Sequence, residues 1–180
     1  NDRFFHHRLT EDLIRADVTG STVALIFLDL DNFQSVNDTH GHLAGSQVLK
    51  EFGYLLQKTV VEAKATLARY GGDEFVVILP GLGVAEAGAV AERILEATTR
   101  AAFLRGSFSW SEGPVNWRHP LSASIGVAVY PVHLPRSGTT DLRKNLLLRA
   151  ADQAMYAAKA DGKASVRIAE PMAVPRVTST

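Results

Sequence analysis

The stretch KATLARYGGDEFVVILP, Lys64 to Pro80, limits the fold more than any other part of the chain. Two β-prone runs meet at Gly71-Gly72, which predicts a tight antiparallel hairpin. A hairpin in mid-chain forbids an all-parallel sheet. Around it, strands alternate with amphipathic helices. TVALIFLDLD is a compact β run ending in acid, the pattern of a buried central strand. Phe5, Leu9, Leu13 and Ile14 recur at helical spacing, and Val48, Phe52, Leu55 and Leu56 share one helical face. VAEAGAVAERILEATTRAAFL is an Ala-rich helix and PLSASIGVAVYP another strand. LRKNLLLRAADQAMYAAKADGK carries one apolar stripe from Leu142 to Ala158, with Gly162 as its stop, and ASVRIA could close the sheet. The order αβαββαβαβ predicts an α/β, palm-like sandwich with a ferredoxin-like core: helices flank a mainly antiparallel central sheet, and the hairpin carries Gly71 to Phe75.

Residues 1–170 read as one domain and 171–180, rich in Pro, Thr and Ser, as a flexible tail. Arg105 to His119 is rich in turn residues and aromatics, an inserted loop or β-arm. The chain starts without Met and reads as a piece of a longer protein, with its regulation in the remainder. Net formal charge is zero, so an anionic ligand must be met by local cations, and a dedicated nucleic-acid binder is disfavoured. There are no cysteines, which excludes disulfides and thiolate metal sites and allows a cytoplasmic setting. No apolar run reaches the ~18 residues of a membrane span, so direct membrane contact is not expected.

Two acidic features carry the chemistry. Asp29 and Asp31 interrupt the end of an apolar strand, a costly position unless they are paired or bound to metal. Asp73-Glu74 follow the glycines, which let a ligand approach the backbone. If the strand end lies beside the hairpin, carboxylates face one another across a short gap. Oxygen ligands without His or Cys suit Mg²⁺ or Mn²⁺, and Mg²⁺ commonly arrives with substrate phosphates. Lys159 and Lys163, four apart, fall on one face at the end of the last helix, where dipole compensation is the plainer explanation. Asn32-Phe33 begin a short turn offering backbone N–H groups to an anion.

Together these residues resemble the GGDEF family of cyclic-dinucleotide synthases, typified by diguanylate cyclases. The signature stands letter for letter at Gly71-Gly72-Asp73-Glu74-Phe75, preceded by Arg69-Tyr70. FLDLDNFQSVNDTHGH, SASIGVAVYP and RAADQAMYAAKADGK accompany it in family order, from about Arg3 to Ile168. The resemblance implies that Asp29, Asp73 and the Leu30 carbonyl bind two divalent ions, Mg²⁺ or Mn²⁺, per half-site. Asp73 and Glu74 would activate a 3′-hydroxyl for attack on an α-phosphate, with pyrophosphate leaving. Asn32 and Phe33 amides, with Lys159 and Lys163, would hold the triphosphate; Gly71 and Gly72 would line the site, and Asn37 would contact the base. Each domain would hold one nucleotide, so catalysis implies a homodimer governed by an upstream sensory domain.

Three departures stand out. The family's product-inhibition pair, an Arg and an Asp, is replaced by Glu62 and Ala65, so no inhibitory site is expected there. A Lys common near the phosphates is Gln34. Ser46 stands where most members have the Asp that accepts from guanine. A carboxylate only accepts, whereas a hydroxyl can accept from guanine N1–H or donate to adenine N1. Hydrogen bonds to charged groups contribute ~1.5–3 kcal/mol against about 1 for neutral ones, so guanine preference should weaken about tenfold. The chain thus resembles the minority subgroup with Ser here, which makes hybrid cyclic AMP–GMP from GTP and ATP. A strictly GTP-specific cyclase and a non-catalytic GTP-binding regulator are the alternatives.

Overall fold

A computed structural model describes residues 2–173. Its elements are α1 (Asp2–Thr19), β1 (Val23–Asp31), α2 (Phe33–His40), α3 (His42–Thr59), β2 (Thr66–Gly71), β3 (Glu74–Pro80), α4 (Val84–Arg100), β4 (Arg105–Gly106), β5 (Val115–Asn116), β6 (Ser122–Tyr130), α5 (Thr140–Ala160) and β7 (Ser165–Ile168). The five-stranded sheet has the order β2-β3-β1-β6-β7; all neighbours are antiparallel except β6 and β7. This is the expected α/β sandwich with helices flanking a mainly antiparallel sheet.

β1 lies at the centre and every one of its residues is buried. Its alternation divides the core in two. Ala24, Ile26 and Leu28 face a cluster with Val48 and Phe52 of α3 and Ile94 of α4. Val23, Leu25 and Phe27 face Phe5, Leu9 and Leu13 of α1 and Leu147 and Ala151 of α5. α5 crosses β6 at Gly126, where a Cβ would lie 2.0 Å from the Ala151 carbonyl oxygen and 2.3 Å from the Met155 nitrogen. Only glycine permits that approach, and it brings the C-terminal end of α5 against the acidic end of β1.

Four expectations change. The predicted turn at Asn32-Phe33 is the entry to a two-turn helix, α2, whose only buried residue is Val36. Ile14 and Leu142 are about half exposed, because each lies at the margin of its helix's apolar stripe. The Arg105–His119 segment is a β-arm, β4 pairing β5, but it is not purely superficial. Val115 and Trp117 are buried in the α3/α4 core, and Phe108 stacks on Trp110 with ring centroids 5.1 Å apart. Within the stretch expected as a flexible tail, 171–180, Met172 is anchored: its amide donates to the His133 carbonyl at 3.0 Å and its side chain packs on the α1/α5 core. Residues 174–180 lie outside the described residues.

Candidate active site at the acidic end of the sheet

The hairpin tip and the end of β1 are stitched together. Asp29 pairs with Glu74 in register, and the Leu30 N–H donates to the Asp73 carbonyl at 3.3 Å. Strand alternation puts Asp29, Asp31 and Glu74 on the α5 side, while the Leu30 side chain is buried on the other. From the last turn of α5, Lys159 forms an ion pair with Asp29 Oδ2. The second Asp29 oxygen is buried without a partner. Burial, reinforced by the Asp73 carboxyl beside it, pushes Asp29 up to about 7 against the pull of Lys159. Burial also raises Glu74, helped by Asp152 and Asp73. For Lys159 burial acts downward, but Asp29, Asp73 and Asp31 outweigh it and raise the ammonium.

Among the described residues no group of three or more His, Cys, Asp or Glu side chains gathers into a ready-made metal cage. Asp29 and Asp73 nevertheless fit a hard divalent cation. Such an ion would satisfy the unpartnered Asp29 oxygen and offset the repulsion between the two acids.

The entry to α2 and the turn after α5 lie beside these acids. Asn32 adopts a left-handed conformation, φ 59°, at the entry to α2, and its Oδ1 accepts from Lys163 Nζ at 3.2 Å. Lys163 does not share a helical face with Lys159, as the four-residue spacing predicts. α5 stops at Ala160 and Gly162, at φ 104°, turns the chain, so Lys163 sits at φ 65° beyond the helix.

On the hairpin side, a cleft of about 340 Å³ is lined by Asn37, His42, Ser46, Arg69, Gly72 and Asp73, among others. Asn37 lies in α2 and Ser46, exposed, in the second turn of α3; Gly41 alone separates the two helices. Gly45 makes room for Asn37, since a Cβ there would stand 1.9 Å from Asn37 Oδ1. That oxygen is itself buried without a partner. Arg69 Nε donates to the Gly72 carbonyl at 2.9 Å and so braces the tip. Gly71 ends β2, and a Cβ there would be 3.7 Å from a Glu74 carboxylate oxygen. Sequence reasoning gave Arg69 and His42 no role, although Arg69 adjoins the signature. A second cleft of about 550 Å³ lies between α2 and the β-arm and shares Asn32 with the site.

Residues 1–165 match the family described as diguanylate cyclase, GGDEF domain. The chain belongs to the GGDEF family. It is 34% identical over 164 residues to the diguanylate cyclase DgcS of Shewanella oneidensis, covering 91% of this chain and 48% of that protein. It is 36% identical over 166 residues to the response regulator PleD of Caulobacter vibrioides, covering 92% of this chain and 33% of that protein. The chain therefore spans half or less of these curated relatives. Among solved structures, the GGDEF domain of PA1120 (TpbB or YfiN) from Pseudomonas aeruginosa superposes with a TM-score of 0.80 at 33% identity, covering 94% of this chain and 90% of that one. The coiled coil and GGDEF domain of DgcB from Caulobacter crescentus, in complex with c-di-GMP, gives 0.77 at 26% identity, covering 94% and 81%.

Within this GGDEF domain, the substituted positions have found other partners. Glu62 accepts from Arg93 at 2.6 and 2.8 Å, and Arg93 Nε also donates to the Thr59 carbonyl at 3.0 Å. Burial would raise Glu62, but the Arg93 guanidinium holds it below the usual range. Ala65 packs on the core. Gln34 donates to Asp38 at 3.0 Å.

Proposed function

We propose that this domain is catalytic and joins two purine nucleoside triphosphates into a 3′,5′-cyclic dinucleotide. The observation that carries the reading is the Asp29–Asp73 pair: Asp73 lines the cleft with Asn37 and Ser46, and Asp29 beside it has one buried oxygen without a partner. In each of two steps, a 3′-oxygen bonds the α-phosphorus of the other nucleotide, the bond to the β-phosphate oxygen breaks, and pyrophosphate leaves. Glu74 or Asp73 accepts the hydroxyl proton; the raised affinity of Glu74 for protons suits that role. Lys159, Lys163 and the Asn32 and Phe33 amides hold the triphosphate. Divalent ions, Mg²⁺ or Mn²⁺, two per half-site and held by Asp29, Asp73 and the Leu30 carbonyl, would neutralise charge on the phosphate oxygens.

Gly71 and Gly72 keep the hairpin tip open to the nucleotide. The cleft beside Asp73, lined by Asn37 and Ser46, would hold one nucleotide and the product needs two, so the active form is a homodimer brought together by upstream regulation. Nucleic acid is not a substrate, and no helix among the described residues is long and apolar enough to cross a membrane. The substrates place the activity in the cytoplasm.

We further propose relaxed base choice. Ser46 is exposed at the cleft and Asn37 Oδ1 awaits a donor, so the recognition edge holds no carboxylate from α3 to reject adenine N1. GTP is the first substrate and ATP the second, giving cyclic di-GMP and cyclic AMP–GMP. With Glu62 captured by Arg93 and Ala65 unable to accept, product feedback through that face is absent.

The test is turnover of GTP by dimeric protein with Mg²⁺, followed by pyrophosphate release and mass spectrometry. Cyclic di-GMP should form, and Asp73→Ala should abolish it. GTP binding with no cyclic product under forced dimerisation would overturn the catalytic reading in favour of a non-catalytic regulator.

A further inference from the structure

Asp31 ends β1 two residues beyond Asp29 and lies on the same side of the sheet, yet its environment is the opposite of its neighbour's. Asp29 has one oxygen on Lys159 and one without a partner. Asp31 is 2% exposed and both of its oxygens are taken. Oδ1 accepts from Ser124 Oγ at 2.7 Å; Oδ2 accepts from Ser122 Oγ at 2.7 Å and from the Ala164 N–H at 3.0 Å. None of these donors is a cation. A buried carboxylate so fully satisfied by neutral groups is closed to metal and substrate.

Its donors reveal what it holds. Ser122 and Ser124 belong to the neighbouring strand β6, so two of the bonds fasten Asp31 to the sheet. The third reaches 133 residues along the chain to the turn after α5. There Lys163 and Ala164 stand at φ 65° and 45°, a left-handed pair that side chains bearing a Cβ disfavour. The Lys163 amide is tied to the Ala158 carbonyl at 3.0 Å, and the Ala164 amide to Asp31. Lys163 then reaches back to Asn32, the residue that follows Asp31 and is itself at φ 59°. Asp31 thus grips both ends of the Asn32–Lys163 bridge, one through a peptide bond and one through the Ala164 amide.

We propose that Asp31 is a positioning residue. It fixes the left-handed turn that aims Lys163 and, with Asn32, shapes the phosphate-binding edge, while touching neither nucleotide nor metal. The inference rests on the triphosphate reading of that edge.

The test is a double-mutant cycle read by calorimetric binding of a non-hydrolysable GTP analogue with saturating Mg²⁺, using the dimeric protein. Asp31→Asn should weaken binding about tenfold, as should Lys163→Ala. The double variant should bind no more than about twofold worse than Lys163→Ala alone, because Asp31 acts through Lys163. Ser124→Ala, a milder change that removes one anchor, should produce a smaller loss that also vanishes in the Lys163→Ala background; it serves if Asp31→Asn does not fold.

Additive losses would overturn the proposal, as would lower thermal stability with unchanged affinity. A raised Mg²⁺ requirement specific to Asp31→Asn would do so too, by making Asp31 a ligand. A wild-type chain that binds no analogue overturns the triphosphate reading and the inference with it. Wild-type binding with an additive cycle overturns the inference alone.

Discussion

Asp29 and its neighbours make predictions that depend on single side chains. With Asp29 raised to about 7 in the metal-free protein, cation binding at pH 6.5 must displace a proton from it. Titration with Mg²⁺ in buffers of different ionisation heat should show release of about three-quarters of a proton per Asp29 at pH 6.5 and little at pH 8.5. Asp29→Asn should abolish it. The linkage to stability follows the same sign. The folded pKa lies above the unfolded one, so the stabilisation from this group is full below about 3.8 and is lost as pH rises through about 7. Gly45 offers a second test. In Gly45→Ala the new methyl would displace Asn37 from the cleft. Nucleotide affinity should fall about tenfold or more, with a stability loss of only about 1 kcal/mol. The motif letters made Asp29, Asp73 and Glu74 legible. The different fates of Asp29 and Asp31 were not, because the donors to Asp31 come from β6 and from the turn after α5, far along the chain.

α5 is the element on which the site's cations depend, and Gly126 is what lets it lie flat on β6. Gly126→Ala would drive a methyl into the α5 backbone and not into a movable side chain. Chemical denaturation should show a loss of about 3 kcal/mol or more, and activity should fall as Lys159 and Lys163 shift. Secondary structure was legible where periodicity was strong: the apolar β1, the glycine-linked hairpin and the long stripe of α5. It failed at α2, whose sequence FQSVNDTH has one buried residue and is otherwise rich in residues that favour turns. It failed again at Lys163, where spacing implied a shared helical face but Gly162 had already ended the helix. Trp117 in the β-arm was hidden for a different reason, since nothing local marks an aromatic in a polar loop as a core residue.

The sequence carries no net formal charge, so the proposed triphosphate binding would rest on the few cations gathered at one end of the sheet. Because each domain is proposed to hold one nucleotide, specific activity should rise with protein concentration and level off once dimers dominate; a flat profile down to nanomolar protein would speak against face-to-face catalysis. Stability has its own global signature. His133 is buried and accepts from the Val129 amide through Nδ1 at 2.9 Å, and burial lowers its pKa. The unfolded chain protonates this histidine first, so stability falls as pH drops below about 6.5, by at most about 1.4 kcal/mol per pH unit. Thermal melts of wild type and His133→Gln between pH 7.5 and 5.5 should differ in slope by that sign.

The proposed dependence of base choice on Ser46 is read from the products themselves. Dimeric protein given equimolar GTP and ATP with Mg²⁺ should yield cyclic AMP–GMP beside cyclic di-GMP. Ser46→Asp should cut the adenine-containing product about tenfold or more while keeping cyclic di-GMP. Cyclic di-GMP alone from both proteins, with ATP never incorporated, would rule out relaxed base choice at Ser46.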